Sequence, residues 1–198
     1  NLVNLPSNLP TFQPSNLPTF KLIFLSRIEE KKGLELLFKA LSSLSFAWNL
    51  TIAGSGEENY VNSLKQKVES LNLEQRISWV GQVEKNNKFE LLANHDLMVL
   101  TSYNENFANV VIESLSVGTS ILISNAVGLA DYVTEKKLGW VTDLIPKNIT
   151  EQLIKAFESG YSRTIIRETA PQLISVDFDS KNLIQKYNDL YNSLKSNE

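Results

Sequence analysis

From Lys21 onward the chain alternates short apolar runs with amphipathic stretches. "KLIFLS" (residues 21–26) is a nearly continuous apolar run, as expected for a strand covered on both faces. "GLELLFKALSSL" (33–44) places apolar residues at 34, 37, 38 and 41, which is a helical stripe. The pair of signals then recurs. Strands are predicted over residues 48–54, 76–81, 96–102, 120–124 and 138–143. Helices are predicted over 57–73, 84–95 and 106–117, the last closed by Gly118, with two more over 146–160 and 180–195. Six strands alternating with helices through short connections predict an α/β fold, a Rossmann-like parallel sheet of about six strands with helices on both faces. Such sheets bind ligands at the carboxyl ends of the strands, where the strand order reverses. The loops to inspect are therefore "SRIEEKKG", "GSGEEN", "GQVEKN", "TSYNENFAN" and "SNAVGLAD".

Residues 1–20 read differently. "SNLPTFQP" is followed at once by "SNLPTF", and four of the six prolines (Pro6, Pro10, Pro14, Pro18) fall here. Regular proline spacing forbids helix and favours extended chain. Two copies are too few to bury a core. Residues 1–20 are thus expected to be a Pro-rich linker or arm, and residues 21–198 the folded domain.

Composition narrows the function classes. Apolar residues make up 42% and charged residues 21%, ordinary for a globular chain. The net charge of −3, with both signs interspersed, gives no basic footprint for nucleic acid. The absence of cysteine removes disulfides, thiolate metal sites and cysteine nucleophiles, and is compatible with a reducing compartment. No apolar run approaches the ~20 residues that span a bilayer, so no transmembrane segment is predicted. The amino end has neither a basic start nor an apolar run, so no signal peptide is expected.

Two loops carry the candidate chemistry. In "SRIEEKKG", an arginine fork (Arg27) and a lysine (Lys32) flank the entry to a helix, a combination suited to a phosphate group. A solvated charged loop is the plain alternative. In "YNENFANVVIE", Asn104 or Asn106 is expected to cap a helix whose free amides would attract anions. Glu105 would then lie at the helix mouth, with Glu113 ~10 Å further along the axis. The spacing of these two acids carries no weight alone, because sixteen glutamates in 198 residues predict about one such pair by chance. "GSGEEN" is neither the dinucleotide fingerprint nor the phosphate loop, and a tight turn explains its glycines equally well. His95, the only histidine, is expected to be structural. Asp177 and Asp179 of "DFD" are expected to cap a helix rather than hold a metal.

The segments "RIEEKKG", "IAGSGEE", "ISWVGQV", "DLMVLTSYNENFANVVIESLSVGTSILIS" and "VGLADYV" resemble, in order and spacing, the carboxyl-terminal half of the family 4 retaining glycosyltransferases of GT-B architecture. The resemblance covers about residues 21–191. It implies a nucleotide-sugar donor site. Arg27 and Lys32 would bind the donor diphosphate. Glu105 would be the catalytic group, against the donor sugar near its reacting carbon. The amides of Phe107, Ala108, Asn109 and Val110 would approach sugar and phosphate. Glu113 would take the ribose hydroxyls, and Gln82 and Val83 would flank the base. It implies no metal and no cofactor, because cations and helix amides stabilise the leaving phosphate. It also implies transfer of a hexose-type sugar to a glycan or lipid-linked acceptor, in polysaccharide or glycoconjugate biosynthesis. The setting would be cytoplasmic, with any membrane contact peripheral and made by the complete enzyme.

The sequence departs from the family pattern at Ser26, Ala108 and Ser120, which stand for glycine, glycine and proline, and at Asp131, which stands for glutamate. Ala108 bears on how closely a diphosphate can approach. The family's amino-terminal domain, which supplies the acceptor site, is the expected partner, in the same or another chain. Without it the isolated chain is expected not to transfer sugar, since transfer requires two substrates held together. A non-catalytic nucleotide-binding module and half of a nucleotide-sugar epimerase are the competing readings.

Overall fold

The computed structural model describes residues 19–179. The Pro-rich segment up to residue 18 and the helix expected over 180–195 lie outside the described residues. Six strands, β1 (Phe20–Leu25), β2 (Trp48–Ala53), β3 (Ile77–Gly81), β4 (Leu97–Leu100), β5 (Ser120–Ser124) and β6 (Gly139–Thr142), form one parallel sheet in the order β3-β2-β1-β4-β5-β6. The chain therefore builds outward from β1 in one direction, then returns to its other side and builds outward in the other. With right-handed crossovers, that reversal puts the helices that join β1 to β2 and β2 to β3 on one face and those that join β4 to β5 and β5 to β6 on the other.

α1 (Leu34–Leu41) packs beside α2 (Glu58–Ser70) and α6 (Pro146–Glu158), while α4 (Asn109–Ser116) packs beside α3 (Lys88–Ala93) and α7 (Gly160–Asp177). β4 and β5 lie in the middle of the second half-sheet and are buried at every position, which is why both read as unbroken apolar or small-residue runs. β3 is an edge strand, and Ser78, Val80 and Gly81 are exposed. β1 starts at Phe20, one residue inside the segment expected to be linker. Phe20 is buried there, edge-on to Phe46 and Phe157.

Two helices escaped the pattern reading. α5 (Ala130–Lys136) has only seven residues, of which Ala130 and Val133 are buried, too few for a periodic stripe. α7 buries only Ile166, Ala170 and Ile174 and carries Pro171 internally, so its stripe is one residue wide. Gly118 lies against this helix, where a Cβ would meet the Arg167 carbonyl oxygen at 2.6 Å. In "DFD", Asp177 is the last residue of α7 and accepts a hydrogen bond from the Tyr132 hydroxyl at 2.9 Å, while the helix that it is expected to cap lies outside the described residues.

His95 is structural, as expected. It is buried between α3 and β2, with Nδ1 2.7 Å from the Leu91 carbonyl and Nε2 2.9 Å from the Thr51 hydroxyl. A carbonyl only accepts, so Nδ1 carries the proton and Nε2 accepts from Thr51 in the neutral ring. Burial lowers its pKa below the ordinary value of 6.5. The unfolded chain therefore takes up the proton first, and this contribution to stability falls as pH drops below the unfolded value. Denaturant melts between pH 7.5 and 5 should show wild type losing up to about 1.4 kcal/mol more per pH unit below 6.5 than His95→Gln. Equal slopes would contradict a neutral buried ring.

Candidate functional site

The reversal between β1 and β4 opens a cleft of about 580 Å³ at their carboxyl ends. One wall comes from the β1 exit, with Ser26, Arg27, Lys31 and Lys32. The other comes from the β4–α4 loop and the head of α4, with Glu105, Phe107, Ala108, Asn109 and Val110.

Backbone contacts fix both walls. Lys32 ends a 3-10 turn (Glu30–Lys32) that leads through Gly33 into α1, and Gly33 has φ +66°. A Cβ on Gly33 would meet the Thr101 carbonyl oxygen at 2.2 Å, so only glycine lets the head of α1 come this close to β4. Thr101 Oγ1 donates to the carbonyls of Lys32 and Gly33, and the Tyr103 amide donates to the Lys31 carbonyl at 2.7 Å. On the far side, the Glu105 amide donates to the Ala126 carbonyl, and the Gly128 amide donates to the Glu105 carbonyl at 2.8 Å. Glu105 is thus held as a short parallel bridge to Val127, beyond the end of β4. "GSGEEN" lies outside the cleft. Cβ atoms on Gly54 and Gly56 would sit 1.8 and 2.1 Å from the carbonyl oxygens of Ser26 and Ile28, so these glycines serve close packing against the β1 exit.

The helix mouth is built differently from expectation. α4 begins at Asn109, not at residue 106, and neither Asn104 nor Asn106 caps it. Its N-cap is Ala108, in the left-handed region at φ +55° and ψ +73°. Glu105 consequently belongs to the loop, and the ~10 Å axial separation from Glu113 expected for a shared helix does not apply. The Val111 amide bonds the Ala108 carbonyl at 2.8 Å, which leaves the amides of Asn109 and Val110 at the positive end of the helix dipole. Asn109 and Val110 bring that end to the cleft wall.

The charges fall into two groups. Arg27 and Lys31 share the half-exposed Glu29, at 3.0 and 3.1 Å. The Lys31 hydrogen bond, with the neighbouring charges of Arg27, Lys31 and Lys32, holds the Glu29 carboxyl below the usual range. Lys32 is 5% exposed, unusual for lysine, and its ammonium pairs with Glu105 Oε2. Glu105 also lines a second recess of about 510 Å³, with Asn125, Gly128 and Asp131 on its other side. Glu113 lies outside both recesses, between α3 and α4, where Lys88 Nζ bonds its Oε1 at 2.6 Å. Gln82 and Val83 follow β3 at the sheet edge and line neither recess.

The fold thus gathers Arg27, Lys32, Glu105, Phe107, Ala108, Asn109 and Val110 around one cleft and leaves Gln82, Val83 and Glu113 beside it. Sequence reasoning missed Lys31, although it adjoins Lys32 in "EKKG". It also missed Lys88, whose only signal is a partner 25 residues away.

A doubly wound sheet with a cationic cleft and a helix mouth at its crossover is the frame in which open α/β domains place their ligands. The chain belongs to the family of glycosyl transferases group 1, which matches residues 9–173. It is 23% identical over 173 residues to N-acetyl-alpha-D-glucosaminyl L-malate synthase of Bacillus anthracis, covering 86% of this chain and 44% of that protein. The chain spans less than half the length of the first curated relatives it matches. Among solved structures it superposes on Anabaena HepE in complex with UDP and glucose, with TM-score 0.79, 23% identity, and coverage of 89% of this chain and 49% of that one. It also superposes on the C-terminal domain of the group 1 glycosyl transferase LpcC of Francisella tularensis, with TM-score 0.71, 17% identity, and coverage of 81% of this chain and 87% of that one. The fold is accordingly the Rossmann-like α/β domain of GT-B glycosyltransferases.

Ala108 holds a backbone conformation that disfavours any Cβ. Ala108→Gly should therefore stabilise the domain by about 0.5 kcal/mol in urea titrations, the relief of strain being partly offset by the freer unfolded chain. A loss above about 1 kcal/mol would mean that φ at residue 108 is not positive.

Proposed function

We propose that this domain binds the nucleotide-sugar donor of a retaining glycosyltransferase. The observation that carries this reading is the position of Glu105, on the wall shared by two recesses of different character. The larger has Arg27, Lys31, Lys32 and the head of α4, which suits a diphosphate. The smaller has Asn104, Asn125 and Asp131, which suits the hydroxyls of a sugar.

In this reading the diphosphate lies on Arg27, Lys32 and the amides of Asn109 and Val110, with Phe107 and Ala108 forming the wall beside it. As the bond from the anomeric carbon to the terminal phosphate oxygen breaks, negative charge grows on that oxygen. Fixed cations and helix amides stabilise it without reorganising, so the reading calls for no metal or cofactor. Glu105 faces the sugar. Glu113, with one oxygen held by Lys88 and the other available to accept, takes the ribose hydroxyls, and Gln82 and Val83 flank the base. The acceptor is held by a second, amino-terminal GT-B domain, in the same or another chain, so the domain alone binds donor without transferring it. The UDP and glucose bound by HepE make UDP the first nucleotide to test.

Calorimetry on the folded domain should detect binding of at least one of UDP, GDP and ADP, weakened on the order of tenfold or more by Arg27→Ala. Absence of binding by all three would overturn the donor reading. Efficient sugar transfer by the domain alone would overturn the assignment of the acceptor to a second domain.

A further inference from the structure

We infer that Glu105 competes with the donor's terminal phosphate for Lys32, so that the site favours a sugar-bearing nucleotide over the spent nucleoside diphosphate. This rests on the donor reading above. Lys32 is buried, so bulk water is a poor substitute for an anionic partner, and Glu105 supplies that partner through Oε2. Lys32 also lines the cationic cleft. A phosphate arriving there meets a cation already neutralised by a carboxylate. The ammonium has three N–H groups, but a phosphate and a carboxylate on one ammonium would be like charges a few ångströms apart, and each weakens the hold of the other. The more weakly held anion is displaced.

The fold provides a place for Glu105 to go. Glu105 also lines the second recess, where sugar hydroxyls would donate to its carboxylate in exchange for the lost ammonium. A nucleotide sugar therefore supplies both halves of the exchange: a phosphate for Lys32 and hydroxyls for Glu105. A nucleoside diphosphate supplies only the first and leaves Glu105 without a donor. Its apparent affinity is reduced by the fraction of molecules in which Lys32 is engaged. After transfer, the returning carboxylate helps to expel the spent nucleotide. Arg27 and Lys31 do not share this behaviour, because their acid is the half-exposed Glu29, outside the exchange.

The test is a double-mutant cycle read by calorimetry with pyrophosphate, UDP, GDP and ADP, on wild type, Glu105→Gln, Lys32→Met and the double variant. Glu105→Gln should tighten pyrophosphate and the preferred nucleotide by about tenfold. It should also lower the preference for the matching nucleotide sugar over the bare nucleotide by a similar factor. In the Lys32→Met background, Glu105→Gln should change nothing, including the case where neither variant binds. Unchanged or weaker binding by Glu105→Gln would overturn the competition while leaving the donor site standing. Equal tightening in both backgrounds would reduce the effect to a general charge field and overturn it as well. If all four proteins fold and none binds any probe, the donor reading itself falls. Near-ultraviolet circular dichroism verifies folding, and Glu105→Ala replaces Glu105→Gln if the glutamine variant does not fold.

Discussion

Thr101 sits where the two halves of the sheet meet, and the cleft depends on it. Its hydroxyl bonds the carbonyls that end the 3-10 turn, and its own carbonyl occupies the space a side chain on Gly33 would need. The wall that carries Arg27 and Lys32 is thereby fastened to the strand that leads to Glu105. A parallel sheet alone would bring β1 and β4 side by side, but it would leave their exit loops free to splay. The hydroxyl and the missing Cβ fix the spacing between the cationic wall and the helix mouth, and so set what can fit between them.

The alternation of apolar runs and amphipathic stretches made the sheet legible, because the central strands β1, β4 and β5 are covered on both faces and α1 has a broad apolar stripe. It failed where burial is narrow. α5 and α7 present too few apolar residues to register, and α7 contains a proline that ordinarily argues against helix. The site was legible as a set of loops, because the strand-end rule names them before any coordinate is known. It was not legible as a set of contacts. Nothing in "NENFANV" signals that residue 108 takes a left-handed turn and delays the helix by three residues, since that turn is imposed by tertiary packing. Lys88 and Glu113 likewise meet only because α3 packs on α4.

The electrostatics of the cleft are those of a site already filled by its own acids. Arg27, Lys31 and Lys32 face Glu29 and Glu105, so two carboxylates offset all but one of the three positive charges. The surface pairs with Glu29 open readily in water. The buried Lys32 is the cation whose partner matters, because desolvation makes an unpaired ammonium costly.

The bridge that holds Glu105 has a kinetic consequence. Its amide and carbonyl are both bonded to the loop after β5, so its main chain cannot follow the side chain. Movement of the carboxylate from one recess to the other is then a change of side-chain torsions about a fixed pivot. Rotamer hops of exposed side chains take picoseconds to nanoseconds and loop openings nanoseconds to microseconds; for Glu105 the breaking of the Lys32 pair adds to the first of these. The acid can therefore re-equilibrate many times while a nucleotide is bound, and the loop that carries it never has to open.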